Sequence, residues 1–133
     1  MENVTCYCTS LRKAARRISA VYDDALSSLG VNVAQFALLR NIERNGYVSL
    51  TELGNLLELD RSTVGRNVKV LERMGWVTMA PATDRRETVV TIDQAGQKIL
   101  DEGALLWEQA QVSVEAKLGV ESATGLLRQL SSI

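Results

Sequence analysis

Apolar residues recur at helical spacing along most of the chain and switch to strand-like runs in three short places. Leu11, Ala15, Ile18, Val21 or Tyr22, and Ala25 or Leu29 mark one face of a helix over residues 4–29, which Gly30 ends. Asn32 and Gln35 form a capping box for a second helix over residues 33–44, with Phe36, Leu39 and Ile42 inward. Tyr47 and Val48 read as a short strand. Ser49 and Glu52 form a second capping box, followed by Leu53, Leu56 and Leu57 at helical spacing. Residues 57–59 make a turn, and Asp60 is a good N-cap for the next helix. There Val64, Val68 and Leu71 face the core, while Ser62, Arg66, Lys69 and Arg73 fall on the opposite face. Gly75 stops it. Residues 76–79 and 88–92 are rich in β-branched and aromatic side chains and predict a hairpin, with Pro81 and a charged tip at residues 83–86 between them. Asp93 starts a long helix to residue 118 with Leu100, Ala104, Trp107, Val114 and Leu118 on one stripe, interrupted by Gln111. Leu106 and Ala110 lie off that stripe. Gly119 precedes a last helix over residues 122–130 carrying Leu126, Leu127 and Leu130.

This order is helix, turn, helix and then a wing: a mainly α fold with a small β wing (α+β). The third and fourth helices and the hairpin carry the chemistry. A helix with Arg61, Ser62, Thr63, Arg66, Asn67 and Lys69 on its free side is equipped to enter the major groove of double-stranded DNA. Its N-terminal side chains reach base edges and its cations neutralise phosphates. An arginine at a hairpin tip suits a narrow minor groove, where the potential is most negative.

Composition sharpens this picture. The chain has 15 basic and 16 acidic residues, for a net charge of -1, which by itself argues against a nucleic-acid partner. The distribution answers the objection: residues 60–86 hold six basic and three acidic side chains, a net of +3, leaving -4 for the remainder. Histidine is absent, which excludes His-dependent triads, acid–base chemistry and His metal sites, and two cysteines cannot build a Cys-only zinc site. There is no phosphate-binding glycine motif. The sequence therefore predicts no catalysis, no cofactor and no metal. No run is apolar enough to span a bilayer and no leader pattern opens the chain, so a cytoplasmic location is expected, with no membrane partner. Arg12, Lys13, Arg16 and Arg17 read as a solvated basic face.

Three runs carry a family resemblance: Leu-Asp-Arg-Ser-Thr-Val-Gly-Arg at 59–66, Leu-Glu-Arg-Met-Gly-Trp-Val at 71–77, and Asp-Arg-Arg-Glu-Thr-Val-Val-Thr-Ile at 84–92. Together they resemble the winged helix of the MarR family of bacterial transcription regulators. Asp84 and Arg86 stand in the two fixed places of the family's D-x-R wing pattern. The resemblance implies one MarR-type domain over residues 1–133, with a winged-helix DNA-binding lobe at 31–92 and a helical dimerisation region at 1–30 and 93–133. It implies a homodimer on a pseudo-palindromic operator, a repressor in preference to an activator. Arg86 would enter the minor groove, oriented by Asp84 through a charge-assisted hydrogen bond, and Arg85 would contact phosphate. The effector stays open between a small aromatic ligand, for which Trp107, Phe36 and Tyr22 are lining candidates, and an oxidant. Cys8 and Tyr22 match positions of the family's hydroperoxide-sensing branch, in which a first-helix cysteine meets tyrosines of the other subunit. Cys6 could resolve an oxidised Cys8. The branch's second tyrosine is Val33 here, and its C-terminal cysteine is missing. The alternative to DNA binding is a winged helix used as a protein-interaction module, supported by the overall acidity.

Overall fold

In the computed structural model, which describes residues 5–84 and 86–133, ten elements follow one another. They are α1 (Tyr7–Leu26), a 3-10 turn (Ser27–Leu29), α2 (Val33–Asn45), β1 (Val48–Ser49), α3 (Leu50–Leu57), α4 (Arg61–Arg73), β2 (Val77–Pro81), β3 (Thr88–Ile92), α5 (Gln94–Leu118) and α6 (Val120–Ser131). The strands form one antiparallel sheet in the order β1-β3-β2. Val48 pairs with Val90 and Ser49 with Val89, and the hairpin register runs from Val77–Ile92 to Pro81–Thr88.

Local chemistry sets most boundaries. Asn32 and Gln35 close their capping box in both directions. Ser49 accepts from the Glu52 N–H at 3.0 Å, without the reciprocal bond of a full capping box. After α4, Gly75 takes φ +79° and lets the chain fold back. The Trp76 N–H reaches the Leu71 carbonyl and the Gly75 N–H the Glu72 carbonyl, both at 3.0 Å, the paired bonds of a Schellman stop.

The core sits in the lobe formed by α2, α3, α4 and the sheet. Leu39, Ile42, Leu53, Val64, Val68, Leu71 and Val90 are fully buried there, with Leu26 of α1 beneath them. Each such side chain contributes ~1.5–3 kcal/mol of burial. Glycines bring α5 onto this lobe. A Cβ on Gly103 would stand 2.5 Å from the Phe36 ring, and one on Gly96 would stand 2.2 Å from the Trp76 carbonyl oxygen. Any side chain at either position would push the helix away.

Several expectations change. The first helix begins at Tyr7, not at residue 4. Val4 lies outside the described residues, and Cys6 is the N-cap residue ahead of the helix. In α3 the buried face is Leu50, Leu53 and Gly54, and Leu56 is exposed, because the Leu59 carbonyl packs against Gly54 and turns that edge inward. Tyr47 is exposed outside the strand, whereas Pro81 is inside one: β2 is an edge strand, so the missing N–H costs no ladder bond. Asp93 occupies an N-cap without capping; its carboxylate accepts from the Thr78 hydroxyl at 2.7 Å. The inward stripe of α5 is Gly96, Leu100, Gly103, Trp107, Ala110 and Val114. Ala110 is buried, and Ala104 and Leu118 are exposed. Two glycines carry part of that stripe, so a search for large apolar residues misplaces it.

Candidate nucleic-acid interface

Helix α4 is built to show one face outward. Its start is held by Asp60, whose carboxylate accepts from the Thr63 N–H at 2.7 Å and from the Ser62 hydroxyl at 3.2 Å. Hydrogen bonding by Thr63, through its side chain first and its N–H second, holds the Asp60 carboxyl below the usual range. Val64, Val68 and Leu71 then anchor the inner face in the core. Arg61, Ser62, Arg66, Asn67, Lys69 and Arg73 are all exposed. Thr63 is half-buried, and its hydroxyl accepts from the Arg66 guanidinium at 3.3 Å. Asn67 stands at the edge of this face, lining a shallow pocket with Ala34, Gln35 and Leu38 of α2. The helix therefore offers a row of donors and cations on a rigid inner anchor, which suits insertion into a groove of duplex DNA.

The turn before α4 is tight. Glu58 adopts a left-handed φ of +53°, and the Leu59 N–H bonds back to the Gly54 carbonyl at 2.9 Å. This geometry turns α4 across α3.

The wing projects beyond the sheet. At its tip the Asp84 carboxylate accepts from the main-chain N–H of Arg86 at 3.3 Å, and the Glu87 N–H donates to the Asp84 carbonyl at 3.1 Å as the next bond of the turn. Asp84 thus shapes the backbone under Arg86 instead of gripping its guanidinium, because an Asp side chain reaches the N–H two residues on more readily than a distant side-chain end. Arg86 is exposed. Arg85 lies outside the described residues. Glu87 was not singled out by its sequence context, yet its carboxylate accepts from the Thr51 hydroxyl of α3 at 3.0 and 3.2 Å.

The remaining candidates lie far along the chain from this face. Cys6 and Cys8 are exposed free thiols at the start of α1. Hydrogen bonding from the Thr9 N–H, then from the Thr9 side chain, lowers the Cys6 pKa. Tyr22 is part-buried against α5: its hydroxyl donates to the Gln111 side chain, and its ring centroid is 6.2 Å from that of Trp107. Burial, with Glu115 adding to it, raises its pKa. In a single chain the tyrosine is committed to α5 and not to Cys8. A cleft of about 220 Å³ between α2 and α5 is lined by Phe36, Arg40, Leu100 and Trp107, with the Arg40 guanidinium 4.5 Å from the Trp107 ring centroid. Tyr22 belongs instead to an apolar groove between α1, α5 and α6. Among the described residues no cluster of metal-ligating side chains is found, and no helix is long and apolar enough to cross a membrane.

A three-helix lobe with a tight turn, an outward polar helix and a β hairpin defines a winged helix-turn-helix protein. The MarR family model matches residues 29–87, the span from the end of the 3-10 turn to the wing. The uncharacterised HTH-type transcriptional regulator YwoH of Bacillus subtilis (strain 168) is 27% identical over 92 residues, 69% of this chain and 67% of that protein. The M. tuberculosis transcriptional regulator MosR, solved in complex with DNA, is 29% identical, with a TM-score of 0.82 over 96% of this chain and 97% of that one. BpsR of Bordetella bronchiseptica, whose DNA binding is regulated by 6-hydroxynicotinic acid, superposes with a TM-score of 0.85 at 22% identity, over 100% of this chain and 98% of that one. Over residues 29–87 the chain is similar to the MarR family, and its fold is that of these solved regulators.

Proposed function

We propose that the protein is a cytoplasmic repressor that binds double-stranded DNA as a homodimer. The carrying observation is α4, whose outer face presents Arg61, Ser62, Arg66, Asn67 and Lys69 while its inner face is locked into the core. Residues 31–92 form the DNA-binding lobe. Thr63 positions Arg66 through its hydroxyl, and the Asp84–Arg85–Arg86 tip supplies the minor-groove and phosphate contacts. Residues 1–30 and 93–133 join two copies. Their support is apolar surface left open on one chain: Leu105, Val112, Val120 and Leu127 are each at least 60% exposed. A two-fold dimer would set two α4 helices ~34 Å apart, one turn of DNA, and would call for a pseudo-palindromic operator.

The effector reading rests on the α2–α5 cleft. Phe36 and Trp107 offer aromatic faces and Arg40 a cation, a combination that fits a small aromatic acid. The cleft lies between the lobe and the helix that joins it to the dimer region, so a ligand there would alter the spacing of the two lobes. A second trigger is supported by one observation: Cys6 and Cys8 are both exposed free thiols, two residues apart at the start of α1.

The test is fluorescence anisotropy with DNA from upstream of the protein's own gene, over a salt series, with hydroperoxide and with aromatic acids added. Binding should weaken steeply with salt, and Arg66→Ala should abolish most of it. Retention on neither this DNA nor heparin at low salt would remove the DNA reading and leave the protein-interaction module. Oxidant-sensitive binding that reductant restores, and that Cys8→Ser protects, would select the thiol trigger. Insensitivity to oxidant, with release by an aromatic acid, would select the cleft.

A further inference from the structure

Among the described residues, three side-chain hydrogen bonds hold the wing in place. Near its root, Asp93 accepts from the Thr78 hydroxyl at 2.7 Å. Midway, the Glu72 carboxylate of α4 accepts from the Met79 N–H at 3.3 Å. At the tip end, beyond the last ladder pair Pro81–Thr88, Glu87 accepts from Thr51. This last contact has a simple origin in the register. Strand β1 pairs Val48 with Val90 and Ser49 with Val89, and the same count carried two residues on sets Thr51 opposite Glu87. The main-chain ladder cannot follow, because the chain turns into α3 at Leu50. A side-chain bond takes its place.

Glu87 is also where the tip closes. Its N–H donates to the Asp84 carbonyl at 3.1 Å and its carbonyl accepts from the Ala82 N–H at 2.9 Å. With the Thr51 hydroxyl on its carboxylate, the residue after Arg86 is tied by main chain and by side chain. A short two-stranded tip is flexible when nothing holds it. There is an electrostatic side as well. A free carboxylate one residue from Arg86 would compete with DNA for the guanidinium and repel nearby phosphates; bonded to Thr51, it is directed at α3.

Resting on the proposed DNA-binding function, we infer that Thr51 and Glu87 form a latch that fixes the wing against the helix-turn-helix. Glu87 is then a positioning residue for Arg86 and makes no contact with DNA itself. Thr51→Val cuts the latch and leaves the carboxylate free. Glu87→Gln keeps an acceptor for the Thr51 hydroxyl, and Glu87→Ala removes it.

The experiment uses the full chain and a duplex that the wild-type protein enriches from a random-sequence library. A matched duplex has the A·T pairs beneath the wing exchanged for G·C. Thermal unfolding first confirms that each variant is folded. Thr51→Val and Glu87→Ala should each weaken binding to the enriched duplex by about fivefold, the scale of one hydrogen bond, and flatten its preference over the G·C duplex. The double variant should lose no more than either alone. Glu87→Gln should restore the preference. In an Arg86→Ala background, Thr51→Val should add nothing. Additive losses, an undiminished A·T preference, or the same loss without Arg86 would each overturn the latch while leaving DNA binding intact. Failure of the wild-type protein to enrich any duplex would remove the DNA reading, and the latch with it.

Discussion

The winged lobe and the terminal helices are made from similar residues and end in opposite conditions. In the lobe, α2, α3 and α4 bury Leu39, Ile42, Leu53, Val64, Val68 and Leu71 completely. Helix α1, with 20 residues, buries only Leu26, and α6 buries none of its 12. Apolar side chains are not lacking there: Ile18, Val114, Leu126 and Leu130 line a groove of about 210 Å³ that one chain leaves open. The lobe is a finished core that frees its polar faces for a ligand. The terminal region is unfinished, and its free faces are apolar. The difference teaches that similar residues close a core in one region and leave apolar faces open in the other, because burial is what makes an apolar helix worth ordering.

A matched pair of substitutions should separate the regions most sharply. Val68→Asp places a charge in the closed core, and the protein should lose several kcal/mol and fail to unfold cooperatively in urea. Leu127→Glu puts the same kind of charge on α6, where the side chain is 60% exposed. One chain should tolerate it. Sedimentation should instead shift from dimer to monomer, with a Tm that no longer depends on protein concentration. A Leu127→Glu protein that remains dimeric would move the interface away from α6.

Where the two regions meet, the effect should be intermediate. Gly103→Val drives a side chain into Phe36 and should cost ~1–3 kcal/mol of stability by urea unfolding. A neutral outcome would mean that α5 moves off the lobe without penalty, and that the two regions are coupled loosely.

The smallest expected effect belongs to the rim of the lobe. Asp60→Ala removes the acceptor at the start of α4. Because the folded carboxyl titrates below its ordinary value, its contribution is present at neutral pH and is lost as pH falls through the folded-state pKa. The Tm difference between wild type and Asp60→Ala should therefore close as the pH drops below the normal aspartate range. A difference that persists in acid would show that the cap works without its charge.

Much of the lobe was legible along the chain. Asn32, Ser49, Asp60 and Gly75 mark helix ends by chemistry that acts over three or four residues, and Val64, Val68 and Leu71 mark the inner face of α4 by period alone. The exposed face followed as the complement, which is why Arg61, Ser62, Arg66, Asn67 and Lys69 stand where the pattern puts them. Less of α5 was legible. Its inward stripe runs through Gly96 and Gly103, which carry no hydrophobic signal, and Asp93 sits at an N-cap but turns to Thr78.

By itself the sequence determined the order of elements, the caps at Asn32, Ser49 and Asp60, the helix that carries the polar face and the concentration of positive charge in residues 60–86. Those are local properties, set by neighbours within a turn or two. The tertiary structure decided the rest: that Tyr22 bonds to Gln111, that Arg40 stacks on Trp107, that Asp84 holds a main-chain N–H, and that Thr51 reaches Glu87. Three of these four pair residues from different elements. Such contacts depend on how the elements are placed in space, which spacing along one chain does not encode.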